Sequence, residues 1–157
     1  MTLRALTVRQ PWAWAIIHGH KTVENRPRPI HSHRGPLAIH AGLNWETDAT
    51  TDPALREAWD RYATSTLGKS SIEIRFGAVI GVVDLVGCHF HGDPEVPCDA
   101  AGATLPCTPW SQPNRWHLEL ANPRRIVPVP ARGALSLWRL PEDVDAAVRA
   151  QLTERAA

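Results

Sequence analysis

The 157-residue sequence has few cysteines, only two lysines and no long hydrophobic run. Its three cysteines, Cys88, Cys98 and Cys107, are an odd number without a Cys-x-x-Cys pair, which argues against the disulfide framework of a small secreted protein. No segment approaches the roughly 18 apolar residues of a membrane span, and the N-terminus lacks the basic and apolar regions of a signal peptide. We therefore expect a cytoplasmic protein without a membrane association.

The charge balance gives the protein no strong overall field. Lysine and arginine number 17 against 16 acidic residues, a formal net charge of +1, and no basic run occurs. Binding of duplex DNA through a charged helix is therefore not expected. Seven tryptophans against two phenylalanines and one tyrosine are an unusual aromatic mix. Tryptophan suits both a core and stacking on bases, so a focused pocket for one single-stranded or flipped nucleotide fits a neutral protein.

The order of predicted elements indicates one domain, 1–157, of the α+β class with mainly β structure. Too few helices separate the later strands for a doubly wound sheet, and a small, partly open barrel flanked by helices fits better. Strands are predicted at Leu3–Val8, 22–25, Leu37–His40, Gly77–Val86, Trp116–Leu120, 126–129 and Ala134–Trp138. Three helices are predicted: one from Pro11 to Gly19, one that is capped by Asp52 and runs through Thr66, and one that begins at Pro141. Residues 88–113 are rich in proline, glycine and polar residues, which predicts a long loop.

The segment after the first helix has the pattern Gly-x-Lys-x-x-Glu-x-Arg, with Lys21, Glu24 and Arg26. Two cations around a carboxylate suit an anionic or hydrogen-bonding ligand, and Lys21 could act as a base. The alternative is a solvated lysine at a helix end. Because side chains alternate along a strand, Glu24 and Arg26 should share one side and Lys21 should point to the other. Arg26 is therefore predicted to pair with Glu24, or with a ligand phosphate, rather than with Lys21.

Five further residues are candidate ligand contacts. Arg9, Gln10 and Trp12 lie where the first strand meets the first helix, whose free backbone N–H groups could bind an anion. Trp12 is either core or a base-stacking platform, and Trp116 on a later strand is a second stacking candidate. His40, at a strand end, is either a donor to phosphate or a buried histidine bonded to backbone.

Scattered histidines and cysteines raise the question of zinc. Enough ligands for a four-coordinate site come from His31, His33, Cys88, His89, His91, Cys98 and Cys107. Their spacing matches no recognised zinc pattern, and ligands on loops need not meet. The sequence therefore predicts no metal and no cofactor.

Together with Thr7-Val8-Arg9-Gln10-Pro11-Trp12-Ala13, the Gly19–Arg26 signature resembles that of the ASCH domain, a branch of the PUA-like fold linked to RNA. The resemblance extends to 38–41, Gly77–Val86, Trp116-His117 and 133–138. It implies a PUA-like pseudo-barrel of about six strands flanked by two or three helices. It also implies a partner that is RNA, single-stranded nucleic acid or a modified nucleoside.

The same resemblance leaves an enzymatic alternative. Some family members hydrolyse the amide of N4-acetylcytidine with a lysine, a threonine and a glutamate, and others are ribonucleases or binding modules. The lysine falls on Lys21, but Glu24 occupies the threonine's position, and the glutamate has no clear counterpart, with Glu57 and Glu73 as candidates. A carboxylate cannot replace a hydroxyl nucleophile, so Lys21 and Glu24 would have to activate water. The leading hypothesis is a nucleic-acid or modified-nucleotide-binding domain, followed by an amidohydrolase or ribonuclease and then by a metal-dependent or structural role.

Overall fold

The computed structural model describes residues 1–65, 72–92 and 107–154. In chain order its elements are β1 (Arg4–Gln10), α1 (Trp12–His18), β2 (Val23–Arg26), β3 (Gly35–Trp45), a short 3-10 helix (Thr47–Thr51), α2 (Pro53–Ser65), β4 (Ala78–His91), β5 (Arg115–Pro130), β6 (Leu137–Arg139) and α3 (Glu142–Glu154). The strands form one six-stranded sheet in the order β2-β5-β4-β3-β1-β6. β1 and β3 are parallel, and the other neighbours are antiparallel.

The sheet curls into a half-barrel with three helices, so the predicted α+β, mainly β, PUA-like architecture is confirmed. One difference concerns β4, which continues to His91, so the start of the predicted 88–113 loop belongs to a strand, and residues 93–106 of that prediction lie outside the described residues. The other concerns β5, which joins the segments predicted at 116–120 and 126–129 into one strand. Its pairing with β4 shifts register between Val82 and Asp84, where Asn122 adopts φ 50° and Pro123 follows. This irregularity lets the strand continue through a proline, which cannot donate to the ladder.

Helix α1 packs directly on the sheet and carries the signature segment at its end. Trp14, Ile16 and Ile17 are buried, and a Cβ at Gly81 would lie 2.5 Å from the Ile17 side chain. Glycine at this position of β4 therefore allows the close approach of the helix. The helix begins at Trp12, one residue later than predicted, and ends at His18, with Gly19 as its C-cap in agreement with the predicted stop.

The two longer helices follow their sequence signals. The Asp52 carboxylate accepts hydrogen bonds from the backbone N–H groups of Ala54 and Leu55 at 2.9 and 3.1 Å, which confirms the predicted cap of α2. Helix α3 buries Val144 and Val148, and it contacts β5. Among the described residues, no helix is long and apolar enough to cross a membrane.

Candidate functional site

Lys21, Glu24 and Arg26 form a cluster of charges at the start of β2. Lys21 Nζ lies 3.0 Å from Glu24 Oε2, and Arg26 Nε lies 3.3 Å from Glu24 Oε1. Lys21 also donates to the Val23 carbonyl, and the Arg26 guanidinium donates to the Thr7 carbonyl at 2.6 Å. The Lys21 side chain is 2% exposed and that of Glu24 is 10% exposed. The carboxylate is therefore held between two cations at the margin of the core.

The predicted pairing of Arg26 with Glu24 is confirmed, but the predicted separation of Lys21 from Glu24 is wrong. Strand alternation does not apply to Lys21, because β2 begins only at Val23. His20 adopts φ 60°, and the Lys21 backbone N–H bonds to the Ala15 carbonyl at 3.0 Å. The chain turns there and brings Lys21 back to Glu24. The alternative of a solvated lysine is also wrong, because Lys21 is buried.

A cavity of about 480 Å³ adjoins this cluster. Five residues predicted from the sequence line it: Arg9, Trp12, Lys21, Glu24 and Arg26. Its charged residues are balanced in formal charge, with three cations (Arg9, Lys21, Arg26) and three carboxylates (Glu24, Glu46, Asp52). The wall therefore offers donors and acceptors without a surplus of positive charge.

Trp12 supplies an aromatic wall. Its ring is partly buried, meets Trp110 edge to face at 6.4 Å between centroids, and lies 5.7 Å from Lys21 Nζ. The last distance is within the range of a cation–π contact. Trp14, two residues further on, is 1% exposed and belongs to the core. The two tryptophans thus divide as expected for neighbouring positions on a helix.

The structure does not bring Gln10 to this cavity. Its side-chain carbonyl accepts from the Trp14 backbone N–H at 2.9 Å, and its amide donates to the Arg75 carbonyl at 2.7 Å. Gln10 therefore uses both of its polar groups within the protein. The Trp14 N–H is bonded to Gln10, so the anion site predicted at the start of α1 has one donor fewer than expected and stays a prediction.

His40 and Trp116 also lie outside the residues that line the cavity. His40 is buried and bonds through Nε2 to the Ala131 carbonyl at 2.9 Å, which corresponds to the structural alternative for this histidine. Burial lowers the pKa of His40, and the bond to Ala131 only partly opposes this effect. The Trp116 ring packs against His31 and Phe90, each with its centroid 5.3 Å away.

The residues of the wall that sequence reasoning missed include Asn25, Trp110 and Gln112. The Asn25 side chain donates to the Trp110 carbonyl at 2.8 Å and accepts from the Gln112 backbone N–H at 3.0 Å. It therefore fastens the segment before β5 to β2. Asn25 lies between Glu24 and Arg26 in the signature, and this position in the sequence could have identified it as a residue of the site.

A second group of polar side chains lies on β4, on β5 and at Cys107. His89 and His117 face each other across paired strands, and Cys107 Sγ lies within 3.4 Å of a ring nitrogen of each. His117 was absent from the ligands considered in the sequence, although His89 and Cys107 were among them. Cys98 lies outside the described residues.

Comparison with known proteins agrees with this architecture. The ASCH domain model matches residues 6–130. The solved ASCH structure from Zymomonas mobilis is 17% identical and has a TM-score of 0.53, with 98% of this chain and 94% of that chain covered. A mutant form of ZmASCH from Zymomonas mobilis is 16% identical with a TM-score of 0.54, and the coverage is 96% and 98%. No curated protein matches the chain. At these identities the likeness to solved structures concerns the fold, whereas the family model covers most of the sequence. The chain therefore belongs to the ASCH domain family, which has the PUA-like fold and is generally RNA-binding.

Proposed function

We propose that the cavity beside Lys21, Glu24 and Arg26 binds one nucleotide of single-stranded RNA. The observation that carries this proposal is the meeting of an aromatic side chain, Trp12, with a charge-balanced polar wall in one cavity. Every base has a face that can stack on an aromatic ring, and its edge requires both donors and acceptors.

The size and charge of the cavity favour a single nucleotide over a nucleic-acid groove. Its volume of about 480 Å³ falls within the range of about 300–1,000 Å³ for small-ligand sites. A groove that follows a backbone needs a surplus of cations, whereas the three cations here are matched by three carboxylates. Recognition of a base and its sugar uses this mixture of groups better than recognition of a row of phosphates.

The cations have different roles in this proposal. Lys21 is buried and fixes the Glu24 carboxylate, so Glu24 is presented in one orientation to a donor on the nucleotide. Arg26 is 26% exposed and can contact the ligand while it remains paired with Glu24. Arg9 is 61% exposed and pairs with Glu46 at 2.9 Å. Such an exposed pair is weak, so Arg9 can exchange Glu46 for the phosphate of the bound nucleotide.

Hydrolysis of a modified nucleoside or of RNA is the second candidate, and the 3.0 Å contact between Lys21 and Glu24 inside the cavity favours it. Glu24 would accept a proton from water, and Lys21 would stabilise the negative charge that develops. The carboxylates that the structure places with Glu24 in the cavity are Glu46 and Asp52. Glu57 and Glu73 do not line it, and their side chains are 76% and 67% exposed.

Two matched tryptophan variants test the binding site. We expect Trp12→Leu to weaken binding of a labelled single-stranded oligoribonucleotide by about 5- to 150-fold, since stacking contributes about 1–3 kcal/mol per base. Trp116→Leu should change affinity by less than about twofold, because Trp116 lies outside the cavity. Fluorescence anisotropy measures both affinities. A large loss with Trp116→Leu and none with Trp12→Leu would place the ligand elsewhere.

Product mass separates binding from hydrolysis. The protein is incubated with N4-acetylcytidine, with single-stranded RNA and with duplex RNA, and the products are identified by mass spectrometry. Binding without any product supports the binding function. Deacetylation or strand cleavage that disappears in Glu24→Gln but persists in Glu57→Gln supports the hydrolase.

A further inference from the structure

We propose that His89, Cys107 and His117 bind a zinc ion. This site is separate from the nucleotide cavity, whose lining includes none of these residues. The proposal replaces the expectation from residue spacing that the chain binds no metal.

The three donor atoms already have the separations of a tetrahedral zinc site. His89 Nε2 lies 3.2 Å from His117 Nδ1, Cys107 Sγ lies 3.2 Å from His89 Nε2, and Cys107 Sγ lies 3.4 Å from His117 Nδ1. Zinc bonds of about 2.0–2.1 Å to nitrogen and 2.3 Å to sulfur give edges of about 3.3 Å between nitrogens and about 3.6 Å between nitrogen and sulfur. Each observed separation is within about 0.4 Å of these edges.

The outer nitrogen of each histidine is bonded to an oxygen that can only accept. His89 Nδ1 donates to the Glu119 carboxylate at 2.7 Å, and His117 Nε2 donates to the Gln112 carbonyl at 2.8 Å. In the neutral rings these bonds fix the tautomers, so that the inner nitrogens present lone pairs to each other and to Cys107. This is the arrangement in which metal-binding histidines are oriented by a carboxylate or a carbonyl.

A bound ion also balances the buried charge. His89, His117 and Glu119 are 6%, 0% and 0% exposed. When zinc binds, the Cys107 thiol loses its proton to solvent and the thiolate donates an electron pair to the metal. The two positive charges of zinc are then matched by the Cys107 thiolate and the Glu119 carboxylate. A buried charge without such compensation is costly.

The backbone leaves space for the carboxylate that orients His89. A Cβ added at Gly87 would lie 2.5 Å from the Glu119 carboxyl carbon. Glycine on β4 therefore permits Glu119 to lie beside His89. Cys107 precedes Trp110 and Gln112, so the metal would also hold the start of the segment that forms one wall of the nucleotide cavity.

Metal content and cobalt spectra test the proposal on the full chain. Protein purified without added metal should contain about one zinc ion per chain, measured by inductively coupled plasma mass spectrometry. Cys107→Ser should lower that content at least about tenfold, and Cys88→Ser is the matched control that should not change it. Glu119→Gln should weaken zinc affinity by about 10- to 100-fold, measured in competition with a chromophoric chelator, because it removes the carboxylate that orients His89.

Cobalt gives a measurement that does not depend on the variants. After the zinc is removed with a chelator, Co²⁺ added to wild-type protein should produce the visible bands of a tetrahedral site and a thiolate charge-transfer band. Absence of the charge-transfer band in folded wild-type protein overturns the proposal. So does stoichiometric zinc that is retained in Cys107→Ser, or equal loss of zinc in Cys88→Ser. Stoichiometric binding of another metal in place of zinc overturns the assignment to zinc.

Discussion

Neutralising Glu24 should destabilise the fold, because Glu24 is the carboxylate that compensates two cations. In Glu24→Gln, Lys21 keeps the Val23 carbonyl and an amide oxygen as acceptors, but its charge loses the carboxylate 3.0 Å away. Breaking a buried ion pair costs about 3–5 kcal/mol, and because these hydrogen bonds are retained we expect a cost of about 3 kcal/mol. For a chain of this length about 1 kcal/mol corresponds to about 2–4 °C, so the melting temperature should fall by about 6–12 °C.

The chain contains a matched control for this experiment. Glu57 pairs with Arg61 at 3.4 Å on α2, and both side chains are more than half exposed. Glu57→Gln removes the same charge but should cost only about 0.3–0.5 kcal/mol, a shift of about 1–2 °C. Calorimetry and urea unfolding followed by circular dichroism give the two values.

A double variant separates the ion pair from a general effect at position 24. Lys21→Met combined with Glu24→Gln removes both charges, so its cost should be smaller than the sum of the two single costs. Equal shifts for Glu24→Gln and Glu57→Gln, together with additivity in the double variant, would refute a stabilising buried charge cluster.

Three further outcomes are expected. Burial lowers the pKa of His40, so the unfolded chain binds more protons, and the free energy of unfolding should decrease as pH falls from about 6.5 towards the pKa of the folded state. Urea unfolding at several pH values should show a smaller decrease in His40→Gln and the wild-type decrease in the exposed control His31→Gln. Equal slopes in all three proteins would contradict this assignment. Asp52→Ala should cost about 1 kcal/mol through loss of the α2 cap, and Asp48→Ala much less; equal shifts in melting temperature would argue against the cap. The logarithm of the affinity for single-stranded RNA should fall with the logarithm of salt with a slope of about −0.7 to −1.4, as expected for one or two phosphate contacts, and a steep slope with tighter binding of duplex DNA would contradict the single-nucleotide pocket.

Local sequence patterns predicted the elements whose signals lie within a few residues. Asp52 followed by Pro53 marked the start of α2, and the apolar run from Gly77 predicted a buried strand. The pairing of Glu24 with Arg26 could also be predicted, because the two residues lie two positions apart on one strand, whereas the turn that brings Lys21 to Glu24 was missed. These interactions are set by neighbours in the chain.

Contacts that depend on strand register could not be predicted from the sequence in this way. His89 and His117 meet because β4 and β5 pair over many residues, and no spacing rule in one sequence specifies that register. The role of Gln10 was equally hidden. Its side-chain amide suits a ligand contact, but its partners in the protein, Trp14 and Arg75, are brought to it only when the sheet and α1 have assembled.

The most direct test of the nucleotide pocket is to record the indole N–H signals of the seven tryptophans by nuclear magnetic resonance during titration with single-stranded RNA. Each signal is assigned by substitution of one tryptophan. We expect saturable shifts of Trp12 and of its edge-to-face neighbour Trp110, with the signals of Trp116 and Trp138 unchanged. Saturable shifts at Trp116 with none at Trp12 would contradict the proposed pocket.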